Sequence, residues 1–203
     1  MPDHPLASRT DIADELIHLI RRPTYEEAFA VLTQIVMERR LRGGNGYIRG
    51  GFQCVCFTEA PLESIAEVVW ENGEDELKFQ PFGIVVKKAW LFERGGRPVI
   101  YQPDSEYALL PEELRYRHVR YEPDARSPID LTWEREWRIK TDNLYLDPQN
   151  CEIVVLSADH QVRLEAVFAE QHREAFPWKV FVVGPTHPDE HIDLIANMGY
   201  YDR

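Results

Sequence analysis

A chain of 203 residues that is 44% hydrophobic and 29% charged has the make-up of one folded domain rather than a disordered segment. Its 23 basic and 35 acidic residues give a net charge of −12, which disfavours broad association with nucleic-acid phosphates, because that needs clustered Lys and Arg. No apolar run reaches the roughly 18–20 residues that cross a bilayer, and Met1-Pro2-Asp3-His4 lacks the pattern of a signal peptide, so a cytoplasmic protein with no membrane association is expected.

In chain order, residues 1–13 read as a loose arm and 14–203 as a single α+β domain. Leu16 to Ile20 is short and apolar, stopped by Arg21-Arg22-Pro23, and is assigned to a buried strand. Thr24-Tyr25-Glu26-Glu27 is a capping box, and Ala28, Val31, Leu32, Ile35 and Val36 recur at helical spacing. A helix over about 25–41 is predicted, ended by Gly43-Gly44-Asn45-Gly46 as its C-cap. Gln53 to Phe57 alternates as a strand, and Pro61 opens a second helix to about Trp70, followed by an acidic loop at 72–80. Gly83–Lys87 is a strand, Ala89–Arg94 a helical turn and Pro98–Tyr101 a strand. Residues 103–130 carry four prolines and many charges, and form a long excursion with one helix near Pro111–Arg117; long loops in small domains are often functional. Strands at Thr132–Lys140, Glu152–Leu156 and Trp178–Val183, with helices at about 159–173 and 188–198, complete the chain. Strict strand-helix alternation is missing, so a mixed, largely antiparallel central sheet flanked by helices is expected.

Cys54, Cys56 and Cys151 are an odd set without CxxC spacing, which indicates buried reduced thiols and no metal site. Arg39-Arg40-Leu41-Arg42 and the run Arg115–Arg120 read as solvated helix-end or loop charges. His160, His172, His187 and His191 lack a zinc-binding pattern; His187 and His191, spaced i, i+4, read as surface histidines, and His118, in the basic run, is unassigned.

The segment richest in chemistry is Trp133-Glu134-Arg135-Glu136-Trp137-Arg138. On a strand, Trp133, Arg135, Trp137 and Ile139 share one side, and Glu134, Glu136, Arg138 and Lys140 the other. Two carboxylates at i and i+2 beside two cations can position a hydroxyl or stabilise developing positive charge, or they can form a self-neutralising surface of ion pairs.

Leu16–Arg21, the helix after it, Cys54-Val55-Cys56-Phe57-Thr58-Glu59-Ala60-Pro61-Leu62, Gly83-Ile84-Val85, Arg97–Tyr101 and Trp133–Arg138 together resemble bacterial phage-defence proteins of the AbiGi type, over roughly residues 14–140. The order of motifs also resembles ADP-ribosyltransferases, DarT-like toxins included. That resemblance implies an ADP-ribosyltransferase-like fold with NAD as substrate. It implies His18 or Arg21 as the first-strand residue that holds NAD, Thr58 as the hydroxyl, and Glu134 and Glu136 as the catalytic Glu-x-Glu pair. Tyr101 would stack on the nicotinamide and Arg138 would contact the substrate. Thr58 is followed by Glu59, where arginine-specific members have Ser-Thr-Ser. The acceptor of ADP-ribose is open, a nucleic acid among the candidates, and a toxin or antitoxin partner is implied. Two alternatives stand beside this. One is a non-catalytic interaction module, for which an acidic surface suits covering a basic partner. The other is a metal-dependent nuclease built on Asp130 and Glu136, with Arg138 where a Lys is expected.

Overall fold

Apolar alternation along five short strands organises the centre of the molecule. In a computed structural model, which describes residues 13–60 and 80–184, these strands join two others in a seven-stranded sheet. In chain order the elements are β1 (Glu15–Leu19), α1 (Tyr25–Glu38), β2 (Arg40–Arg42), β3 (Cys54–Thr58), β4 (Gly83–Lys87), α2 (Lys88–Glu93), β5 (Arg97–Pro98), β6 (Ile100–Gln102), β7 (His118–Arg120), β8 (Glu136–Lys140), β9 (Asn143–Tyr145), β10 (Cys151–Val155), α3 (Ala158–His172) and β11 (Lys179–Val182). The sheet order is β11-β10-β4-β1-β3-β8-β5. All its pairs are antiparallel except β10–β11, so the expected mixed, largely antiparallel sheet is found. No helix among the described residues is long and apolar enough to cross a membrane.

Helices lie against one face. Leu16, Ile20, Val55, Phe57, Ile84, Val86, Trp137, Ile139, Ile153 and Val155 point to that side and pack with Phe29, Leu32 and Val36 of α1 and Leu164 and Phe168 of α3. Both helices start on a hydroxyl. Thr24 Oγ1 accepts the Glu27 amide, and Ser157 Oγ accepts that of His160, which satisfies amides that have no partner within the helix. On the opposite face Ile17, Val85 and Val154 form one small cluster, and Cys54, Ile48 and Tyr116 another, with Cys56 and Phe52 beside it.

Several expectations are corrected. Helix α1 stops at Glu38, because Arg39 adopts the left-handed conformation (φ 54°) and returns its amide to Ile35 and Val36. Arg40–Arg42 then form β2 against β9, burying Leu41, so Gly43 does not cap the helix. A Cβ at Gly43 would lie 2.0 Å from the Thr141 carbonyl oxygen, so close backbone approach is what requires glycine there. The helix expected near 111–117 is found as a 3-10 helix, Glu112–Arg117, and a second one that was not expected, Asp104–Leu109, precedes it in the excursion. The excursion returns as β7, parallel to β6. The strand expected over Pro98–Tyr101 is divided between β5 and β6. The predicted arm, except residue 13, the Pro61 helix, nearly all of the acidic loop, the helix at 188–198, His187 and His191 lie outside the described residues.

Phe168 has no solvent exposure and meets His172, Phe176 and Trp178 at ring-centroid distances of 4.4, 5.3 and 5.5 Å. Phe168→Ala is expected to lose about 3–5 kcal/mol of stability in urea unfolding, as for a buried aromatic whose cavity cannot collapse.

Candidate functional site

Register decides which side chains meet. Strands β3 and β8 pair Cys54 with Lys140, Cys56 with Arg138 and Thr58 with Glu136. Directly paired residues share a face, and these lie on the side away from the helices. Arg138 is 5% exposed and uses its whole fork. Its Nε and Nη2 donate to the two Glu136 carboxylate oxygens at 2.7 and 3.0 Å, while Nη1 donates to the carbonyls of Tyr116 and His118 at 2.9 and 3.0 Å. The bidentate pair therefore ties β8 to the end of the excursion. Beside it, the Cys56 thiol hydrogen-bonds to Glu136, and burial followed by that negative neighbour pushes its pKa far up, leaving a neutral thiol. Tyr101 brings its hydroxyl to accept the Glu136 amide at 3.1 Å, and burial is the main cause that raises its pKa. All three cysteines are free thiols, with Cys54 and Cys151 buried.

Glu134 and Glu136 do not share a strand face, which corrects the alternation expected over 132–140. Thr132–Glu134 is a 3-10 turn, and Arg135 sits in the left-handed region (φ 43°), so β8 begins only at Glu136. Asp130 initiates the turn by accepting the Thr132 amide and hydroxyl. Thr58 closes it: its Oγ1 donates to the Glu134 carbonyl at 2.5 Å and accepts the Ala60 amide at 3.0 Å. Hence Trp133 is 61% exposed while Trp137 is buried on the helix side.

His18 and Arg21 part company here. His18 follows Leu16 in alternation and lies on the helix side of β1, where its Nδ1–H donates to the Cys56 carbonyl at 2.8 Å and its ring meets Phe57 edge-on. It does not share the face of Thr58 and Glu136; Ile17, which pairs with Thr58, does. Arg21 stands beyond the end of β1, its guanidinium carbon 5.4 Å from the Tyr47 ring centroid. Tyr47 belongs to the loop whose Ile48 packs against Cys54 and Tyr116, so Arg21 lies toward the Cys54 end of β3, at the opposite end from the Thr58–Glu136 pair.

On the helix side, Glu59 accepts from Trp137 Nε1 at 2.8 Å and from Lys88 Nζ at 2.6 Å. In the sequence Glu59 is notable only as the neighbour of Thr58, and Lys88 not at all, since single charges at strand and helix ends carry no periodic signal. The role of Cys56 was equally hidden, because it depends on register with a strand about eighty residues away. Among the described residues no three His, Cys, Asp or Glu side chains gather where they could hold a metal ion.

Two outcomes follow from this geometry. Arg138→Met leaves Glu136 and two carbonyls without their donor, and is expected to cost about 3–5 kcal/mol in denaturant unfolding. Adding Glu136→Leu is expected to recover only part of that loss, because the Tyr116 and His118 carbonyls stay unpaired. Burial lowers the His18 pKa below its ordinary value, against the raising effect of the Cys56 carbonyl. The neutral ring is thus favoured in the fold, so its contribution is complete above an unfolded pKa of about 6.5 and is lost as pH falls below it. His160 is shifted the same way, also by burial. Urea stability is expected to decline from pH 7.5 to 5.5, with a shallower decline in His18→Asn; an unchanged slope in that variant would assign the effect to His160.

Compared with family models, with curated proteins and with solved structures, the chain finds no match in any of the three.

Proposed function

We propose that the chain is an ADP-ribosyltransferase-like domain of a phage-defence or toxin-type system, one that breaks the nicotinamide–ribose bond of NAD and passes ADP-ribose to an acceptor. The observation that carries the reading is the adjacency of β1, β3 and β8 in the sheet, with Thr58 directly opposite Glu136. Two strands about eighty residues apart thereby bring a hydroxyl and a carboxylate to one end of one face, and β6 adds Tyr101, whose hydroxyl accepts the Glu136 amide.

In this reading Glu136 stabilises the oxocarbenium character that builds on the ribose as nicotinamide leaves. Arg138 holds the carboxylate in one orientation, and with the Cys56 thiol donating as well, about one of the four lone-pair sites is left to accept a ribose hydroxyl. Thr58 is a positioning residue, because its hydroxyl fixes the turn that presents Glu134 and Glu136. Arg21 takes the first-strand role of holding the NAD phosphates, and His18 is left as a packing residue of the helix side.

A second reading has its own support. Both Glu136 oxygens and the Thr58 hydroxyl already serve the fold, as suits an interaction module such as the antitoxin of a two-component system.

NAD consumption by the purified protein separates the two. The transferase reading expects turnover that falls at least about 100-fold in Glu136→Gln and in Glu134→Gln, with a raised KM in Arg21→Ala. Each variant is paired with a melting curve to show that it is folded. Absence of both turnover and an NAD-dependent rise in Tm would overturn it in favour of the module.

A further inference from the structure

The loop between β2 and β3 is closed at its base and latched at its tip. Gly44 and Cys54 exchange backbone hydrogen bonds at 2.9 and 3.0 Å, so residues 45–53 leave and re-enter the fold at one point, in the manner of an Ω-loop. Ile48, 8% exposed, reaches down from this loop onto Cys54 and Tyr116. At the tip, Arg49 forms an ion pair with Asp104, donates to the Asp104 carbonyl at 3.0 Å and lies 4.1 Å from the centre of the Tyr107 ring. Tyr107 returns a hydrogen bond to the Arg49 carbonyl at 3.4 Å. The next two residues, Gly50 and Gly51, have φ of +88° and +70°, and a Cβ on Gly50 would lie 2.5 Å from the Tyr107 hydroxyl. One end of the loop is therefore a pinned base and the other a pair of glycines able to absorb a backbone rotation.

We propose that residues 45–53 are a hinged strap over the Cys54–Cys56–Arg138 face, latched to the Asp104–Leu109 turn by Arg49, and that its release opens this face to a ligand. Few contacts hold the latch, and both ion-pair partners are close to half exposed (44% and 47%), so salt weakens it while the buried base stays paired. Strap movement stands on this geometry alone; its role as a gate for NAD rests on the transferase reading above.

Two native thiols report on the movement. Cys54 and Cys56 lie beneath the strap, whereas Cys151 is buried on the helix side of β10 and registers only global opening. The test is N-ethylmaleimide labelling of the full-length protein without NAD, followed site by site by mass spectrometry. Arg49→Ala and Gly50→Ala are expected to label at Cys54 and Cys56 about three to ten times faster than wild type, with Cys151 unchanged. Raising NaCl from 0.05 to 0.5 M should move the wild-type protein in the same direction. Equal rates at Cys54 and Cys56 in all variants and salts would overturn the strap, and so would a parallel acceleration at Cys151. Since NAD is absent, a protein that fails to turn over NAD can still pass this test.

Discussion

The guanidinium of Arg138 is the group on which the open face of the sheet depends. A buried cation is tolerated only when every strong donor finds an acceptor, and here the acceptors come from two places distant in sequence. Glu136, on the same strand, neutralises it; the carbonyls of Tyr116 and His118 complete it. Without the end of the excursion the fork would be half satisfied, and without the fork those carbonyls would be buried unpaired. The excursion is thereby anchored to β8, and with it the Tyr107 ring to which the strap is latched.

The two sides of the sheet are built on different principles. The helix side is an apolar core in which aromatic rings meet edge-on: Phe29 and Phe82 around His160, and Phe168 among Phe176 and Trp178. The loop side near β8 is held by directional polar contacts, a fork, a thiol and two hydroxyls, with only a small apolar cluster beneath. Packed cores resist small displacements, whereas a loop held by a few exposed contacts opens at low cost. The proposed chemistry and the proposed strap movement therefore fall on the same side, opposite the packed helix side.

Arginine also does local work usually given to glycine. The non-glycine residues with positive φ among those described are Arg39, Arg135 and Arg173. Arg39 and Arg173 end α1 and α3, where a cation is favoured by the negative end of the helix dipole. The left-handed conformation costs roughly 1–2 kcal/mol for a residue with a Cβ. At Arg39 an ion pair with Glu174 and contact with the Phe168 ring offset that cost. Gly43 as a C-cap predicts an end for α1 at about residue 41, whereas the helix stops at Glu38 on Arg39.

What the sequence determined by itself was whatever rests on local periodicity: α1 with its Thr24 cap, α3, and the cores of β1, β3, β4 and β10, since an apolar repeat of 3.6 or 2 needs no partner to be visible. The gathering of Thr58, Tyr101 and Glu136 was legible as candidates, but their arrangement was not. Strand order, the exclusion of His18 from the Glu136 face, the turn that separates Glu134 from Glu136 and the four-way engagement of Arg138 were decided by tertiary structure alone. Alternation places neighbouring residues on opposite sides of a strand, but which side receives a helix and which receives a loop is set by pairing with strands up to about eighty residues away. A shift of one residue in register would exchange every one of those side chains between the two faces.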